Sequence, residues 1–231
     1  MEVFSEMGRS DGQLAKLAQA LRASDSSARQ RAALVAGMNP HDKYVDVLVE
    51  HSAIEPDFFV RDMLTWALTR HDPAITVDRL LGELSSAVPQ ARSQSLHTLS
   101  KIGDQRAWSS ITADMLRDAD DEVARAAWRA AVVLAPASDA PALAATLTSQ
   151  LGREGRDVQR SLSRALAALG PGAASALDRA KLDQDPAVRA HALATQRLID
   201  HPDEDFDAAI TEARRAAALH DAPMTPTELD R

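Results

Sequence analysis

An internal repeat of about 32 residues runs through this chain and limits the folds open to it. Six segments begin with a small or β-branched anchor residue, usually followed within two positions by arginine, and then show apolar positions at +4, +8 and +11. These anchors lie 30 to 35 residues apart and are Ala28, Val60, Ala91, Val123, Val158 and Val188. The positions 0, +4, +8 and +11 form one stripe along an α-helix. The spacing therefore predicts an array of helical units that bury their apolar faces against one another.

Each repeat also contains a second amphipathic stretch before the anchored helix. Examples are Tyr44–Glu50, Ile75–Leu81, Ala107–Leu116 and Leu143–Leu151, so each repeat is predicted to be a helical hairpin. Aspartate is a favoured N-cap residue, and five aspartates are placed to cap anchored helices: Asp25, Asp57, Asp120, Asp157 and Asp185. The chain contains 45 alanines among 231 residues and only 3% aromatic residues. This composition favours closely packed helices over an all-β fold.

The repeat resembles a known family. Asp185–Ala192 (Asp-Pro-Ala-Val-Arg-Ala-His-Ala) and Ser95–Asp104 are similar to the HEAT-repeat consensus of the short, phycobilisome-lyase-like type. The arginine of the consensus is missing after two anchors, where Ala124 and Gln159 stand. The resemblance implies an all-α, right-handed α-solenoid of about six HEAT-like hairpins plus a final helix. It also implies that the anchored helices line the concave face.

A second likeness concerns regulation. Glu55–His71 and Ala91–Asp104 are similar to HEAT-like domains that follow MerR-type DNA-binding domains in actinobacterial regulators. No winged helix-turn-helix precedes the repeats in this chain, so the likeness implies at most a sensor or interaction module in transcription regulation. The large excess of arginine over lysine is in keeping with a GC-rich genome.

We expect a single solenoid domain over residues 13–220, with an N-terminal tail at 1–12 and a C-terminal tail at 221–231. The chain has no cysteine, which excludes disulfides and thiolate chemistry. Its acidic start lacks a secretory signal pattern, and no apolar run approaches the roughly 20 residues of a membrane span. A cytoplasmic protein without membrane association is therefore expected, while the sequence leaves its oligomeric state open.

The net charge of −8 conceals an uneven distribution. The six windows from anchor to +11 contain 12 basic side chains and one acidic one, Asp62. Extending each window by three residues upstream adds seven acidic side chains and Arg156, and the extended windows still carry a net charge of +5. The acidic total argues against non-specific nucleic-acid binding, but it leaves room for a basic face. One reading of this face is structural, because acids belong at helix starts and bases at helix ends.

We assign the arginines directly after the anchors (Arg29, Arg61, Arg92 and Arg189) to structural contacts. The positions at +2, +6 and +10 lie opposite much of the buried stripe, and adjacent repeats would align them. They predict a basic ridge, defined here as Trp66, Arg70, His97, Lys101, Arg125, Arg129, Arg160 and Arg164. Such a ridge suits an anionic ligand, an acidic peptide or a nucleic-acid backbone. The alternative is that these are ordinary solvated helix faces.

The other large or titratable side chains suggest little chemistry. We assign Trp108 to a repeat junction, Trp128 to the edge of the core and Trp66 to a ligand or partner contact. The seven histidines show no metal-ligand spacing, so no metal and no cofactor is predicted. We assign the acidic run at 200–207 to the cap of the last helix.

These observations predict a non-enzymatic binding or scaffold module. Its concave face would hold a protein partner or a small anionic effector. An alternative is a HEAT-fold nucleic-acid binder, or an enzyme resembling alkylpurine DNA glycosylases, which use tryptophan and aspartate around a basic groove. Asp62 and Trp66 lie four residues apart, on one helix face, as that alternative requires. A bilin lyase shares the repeat type, but no residues here mark a bilin site.

Overall fold

The computed structural model describes the backbone of residues 2–220 and the side chains of residues 11–215. Over that part of the chain the regular structure is helical, and no β-strand is present. The chain divides into two compact units, Met1–Leu134 and Ala135–Arg231. The predicted all-α class, built from six consecutive hairpins and a final helix, is confirmed.

The first unit contains four hairpins whose helices form two layers. The anchored helices pack side by side in one layer, and the helices that precede them form the other. The helices of this unit are α1 (Glu2–Leu21), α2 (Ser26–Met38), α3 (Tyr44–Ser52), α4 (Phe58–Thr69), α5 (Pro73–Glu83), α6 (Pro89–Ile102), α7 (Ala113–Leu116) and α8 (Asp121–Leu134). Helix α4 packs between α2 and α6, and α6 packs against α8.

The first arm of the fourth hairpin differs from the prediction. Instead of one helix over Ala107–Leu116, a 3-10 helix covers Gln105–Ser110 and the short α7 follows it. The break falls at Ile111 and Thr112, two β-branched residues with extended backbone. The Thr112 hydroxyl accepts a hydrogen bond from the backbone N–H of Met115, so Thr112 starts a new helix instead of continuing the old one.

The second unit contains two hairpins and a terminal helix. Its α-helices are α9 (Ala140–Thr148), α10 (Arg156–Ala168), α11 (Ala174–Ala180), α12 (Pro186–Asp200) and α13 (Phe206–His220). Helix α12 packs against α10, α11 and α13. Phe206 and Ile210 of α13 are buried against alanines of α12, so the last helix covers the end of the stack.

The predicted aspartate caps are confirmed at four anchored helices. Asp25, Asp57, Asp120 and Asp185 each accept hydrogen bonds from backbone N–H groups of the following turn. The prediction for Asp157 is wrong. Gly155, with a φ of 88°, precedes α10, so Asp157 falls inside the first turn.

Alanine allows the helices to approach closely, as the composition predicted. In α8, Ala124, Ala127 and Ala131 are completely buried, and so is Trp128. The assignment of Trp128 to the core edge is therefore wrong. Its indole N–H donates a 2.8 Å hydrogen bond to the Leu116 carbonyl, which explains how a polar aromatic group is accommodated in a core built from small residues.

The predicted domain boundaries stay predictions. Helix α1 begins at Glu2 and includes the segment expected to be an N-terminal tail. The expected C-terminal tail, 221–231, lies outside the described residues. Among the helices that the structure describes, none combines the length and the apolar character that crossing a bilayer requires.

Candidate anion-binding site

A pocket lies across three anchored helices of the first unit, α4, α6 and α8. Its cavity volume is about 280 Å³. Four of the eight basic-ridge residues, His97, Lys101, Arg125 and Arg129, line it together. The remaining lining residues are Phe58, Arg61, Asp62, Ser93, Gln94, Glu122 and Ala126. We call this site the basic pocket, because four cationic side chains meet two carboxylates there.

The cations of the basic pocket differ in how they are held. The Arg125 guanidinium donates to the Glu122 carboxylate through Nη1 at 2.8 Å. Its Nε is buried and has no hydrogen-bond partner among the residues that the structure describes. No described carboxylate forms an ion pair with Lys101 or Arg129. These cations therefore keep hydrogen-bonding capacity that a bound anion can use.

His97 lies at the centre of the predicted ridge and is half-buried. Burial, together with the nearby positive charges of Arg129 and Lys101, lowers the pKa of His97 to about 4, and the Asp62 carboxylate opposes this effect. Burial and the neighbouring Arg125 charge also lower the pKa of Arg129. The ring of His97 is thus neutral near pH 7, while the arginines keep their charge. The pocket holds an excess of two positive charges over its carboxylates.

Phe58 and Arg61 form one wall of the pocket. Phe58 is 65% exposed, and the Arg61 Cζ lies 5.9 Å from its ring centroid. Arg61 also donates to the carbonyls of Glu55 and Pro56, at 3.0 and 2.7 Å. Phe58 was not selected from the sequence, because it lies two positions before the anchor. The only signal was a bulky apolar residue outside the buried stripe.

Two further ridge residues of the first unit lie outside the basic pocket. Trp66 follows Asp62 by one helical turn and is 38% exposed. Its ring packs on Gly37 of α2, where a Cβ would also come within 2.9 Å of the Ala67 Cα. Arg70 is exposed at the C-terminal end of α4.

The last two ridge residues belong to the second unit. Arg160 of α10 forms ion pairs with Asp157 and Asp207, and its guanidinium lies 5.9 Å from the Phe206 ring centroid. Arg164 is exposed on the same helix. The assembly of all eight residues into one ridge stays a prediction.

The arginines directly after the anchors have the structural role that was predicted for them. Each donates to the carbonyl of the residue six positions earlier, in the loop before its own helix. These arginines are Arg29, Arg61, Arg92 and Arg189. Gln159, which replaces arginine in the fifth repeat, donates to the Arg153 carbonyl in the same way, at 2.7 Å. The position therefore supplies a side-chain donor that stabilises the loop.

Arg29 also takes part in a buried ionic cluster that the sequence did not indicate. Glu55 is 1% exposed and accepts from Arg29, from His51 and from the Asp57 backbone N–H. Burial alone would raise the pKa of Glu55, but the hydrogen bonds from these donors lower it to about 2. Because the carboxylate is fully partnered, this cluster stabilises the fold and offers no site for a ligand.

His191 of α12 is the other buried titratable group. The Gly152 N–H donates to its Nδ1 at 3.2 Å, and its Nε2 lies 3.0 Å from the Gln159 carbonyl and 3.1 Å from Ser163 Oγ. These contacts assign the hydrogen to Nε2. Burial lowers the pKa of His191 to about 4. The ring is sealed inside the second unit, so the Ser163–His191 contact is part of the core.

Trp108 lies partly buried in the 3-10 helix at Gln105–Ser110. Asp205 caps α13 by accepting from the N–H groups of Asp207 and Ala208, which confirms the assignment of the acidic run. In the described part of the chain, no three histidine, aspartate or glutamate side chains gather to hold a metal ion.

The chain matches no protein-family model and no curated protein. It is similar to a chain in the solved structure of the complex of CpcE and CpcF of phycocyanin lyase from Nostoc sp. PCC7120. The identity is 17%, the TM-score is 0.46, and the alignment covers 93% of this chain and 90% of that one. The likeness to the HEAT-like domains of MerR-type regulators, with its regulatory and actinobacterial implications, stays a prediction.

Proposed function

We propose that this chain is a non-enzymatic binding module and that its basic pocket holds an anionic group, a carboxylate or a phosphate, of its ligand. The observation that carries the proposal is the convergence of Arg61, Lys101, Arg125 and Arg129 on one open cavity. The unpartnered Nε of Arg125 is a donor for which the described residues supply no acceptor. An anion in the cavity would satisfy that donor and offset the repulsion between neighbouring cations.

The groups of the basic pocket suit binding better than proton transfer. A guanidinium keeps its proton at neutral pH, and His97 is already neutral there because its pKa is lowered. Asp62 lines the pocket and Trp66 does not, so this pocket lacks the tryptophan that the glycosylase-like alternative requires. We therefore propose a binding role, and duplex DNA is included in the test as the alternative ligand.

The proposal is tested by titrating the protein with citrate and inorganic phosphate at low salt while thermal unfolding and the His97 NMR signals are followed. We expect citrate to raise the melting temperature and to shift the His97 signals. Arg129→Glu should abolish both effects. Arg22→Glu, a charge reversal at an exposed position outside the pocket, should preserve them.

Equal responses of the two variants would contradict the proposal. So would salt-sensitive binding of duplex DNA that Arg129→Glu leaves unchanged, because phosphate contacts would then lie elsewhere.

A further inference from the structure

The face of the first unit that carries the basic pocket changes character from one helix to the next. The residues at +6 in the four anchored helices are Leu34 on α2, Trp66 on α4, His97 on α6 and Arg129 on α8. Leu34 and Trp66 are apolar, whereas Arg129 is cationic. Because α2, α4, α6 and α8 pack in sequence, equivalent positions form a row, with an apolar half over α2 and α4 and a cationic half over α6 and α8.

The apolar half is open to solvent. Leu34 is 36% exposed and Trp66 38% exposed, while Met38, one helical turn after Leu34, is 67% exposed. A Cβ at Gly37 would come within 2.9 Å of the Trp66 ring, so a glycine at this position lets the ring approach α2. Three large apolar side chains are thus exposed on α2 and α4, and α4 also contributes Phe58, Arg61 and Asp62 to the basic pocket.

We propose that the ligand is an extended acidic segment of a partner protein and that this segment also carries an apolar residue. The inference rests on the proposed function. The carboxylates of the segment would occupy the basic pocket, and its apolar side chain would pack on Trp66, Leu34 and Met38. Charge complementarity selects an acidic chain, and a large, exposed tryptophan on a rigid helix is a typical anchor for an apolar side chain.

The helix spacing sets the distance between the two elements of the peptide. Packed helix axes lie roughly 8–10 Å apart, so Trp66 and Arg129, two helices apart, are separated by about 16–20 Å. An extended chain advances about 3.3 Å per residue. The apolar residue should therefore lie about five or six residues from the acidic residues.

The test measures the fluorescence anisotropy of labelled 12-residue peptides in three forms. One has two glutamates and a leucine six residues away, one has the same residues two apart, and one lacks the leucine. We expect the six-residue spacing to bind about tenfold more tightly than the other two. Trp66→Ala should remove this advantage and leave citrate binding unchanged, whereas Arg129→Glu should weaken all binding. Ile54→Ala, at another exposed apolar position of the same unit, should behave like the unmodified protein.

The outcomes separate the two proposals. If neither citrate nor any peptide binds, the proposed function itself fails. If citrate binds but spacing and Trp66→Ala have no effect, the pocket serves a small anion and the peptide inference is overturned. Tighter binding of duplex DNA than of the spaced peptide, lost in Arg129→Glu, would overturn it in favour of a nucleic acid.

Discussion

His97 and His191 have the same lowered pKa, about 4, but owe it to different surroundings. His191 is completely buried, and both ring nitrogens have partners in the neutral form. Protonation of its Nδ1 would set two donors, that nitrogen and the Gly152 N–H, against each other. His97 borders a cavity beside Arg129 and Lys101, whose charges add to the effect of burial. The His191 ring is therefore part of a core in which its polar atoms have partners. The His97 ring instead lies next to positive charges that the pocket's carboxylates do not fully balance.

His191 should contribute far more to the stability of the fold than His97 does. His191→Ala should lower the free energy of unfolding by about 2–4 kcal/mol, because it leaves a cavity and unpaired polar groups in the core. His97→Ala should lower it by less than about 1 kcal/mol. All three tryptophans lie in the first unit, whereas His191 lies in the second. Denaturant unfolding should therefore be followed by circular dichroism as well as by tryptophan fluorescence. Equal losses in the two variants would remove the distinction.

The burial of His191 should also make the stability of the fold depend on pH. The folded-state pKa of His191 lies below the ordinary value of 6.5, so protons bind preferentially to the unfolded chain. Its contribution to stability is complete above pH 6.5, falls as the pH drops towards 4, and amounts to about 3 kcal/mol for a fully buried ring. His191→Gln, which has no titrating group, should show a flatter dependence of unfolding on pH. Superimposable pH profiles would contradict this account of the core.

A smaller effect is expected from removing one positive charge beside His97. Arg129→Gln should raise the pKa of His97 part of the way to its ordinary value, because burial, the larger cause, remains. The pKa of His191 should not move. Bound citrate should likewise raise the pKa of His97 only, since an anion in the pocket stabilises the imidazolium. Histidine proton NMR across a pH series measures the pKa of each ring. A parallel change in the pKa of His97 and His191 would indicate a general conformational effect.

The sequence predicted much of the fold because helix periodicity and capping are local properties. The repeat spacing placed the anchored helices, and Asp25, Asp57, Asp120 and Asp185 cap the helices that they precede. It failed at Trp128, where a tertiary contact decides the burial, and at Asp157, where a local glycine turn decides where the helix begins. Trp128 reads as a core-edge residue on a helical projection, yet α7 supplies a carbonyl that lets it be fully buried. Asp157 reads as a cap, but the turn at Gly155 starts the helix earlier.

The same division holds for the candidate site. The repeat alone was enough to group His97, Lys101, Arg125 and Arg129 on one face, since it places them at +2, +6 or +10, positions four residues apart along the anchored helices. That they share a cavity with Phe58 and Glu122, that the Arg125 Nε has no partner among the described residues and that Trp66 does not line the cavity are known only from the tertiary structure. Register follows from periodicity along the chain. Cavities and unsatisfied donors depend on the distances between helices, which the packing of small side chains sets.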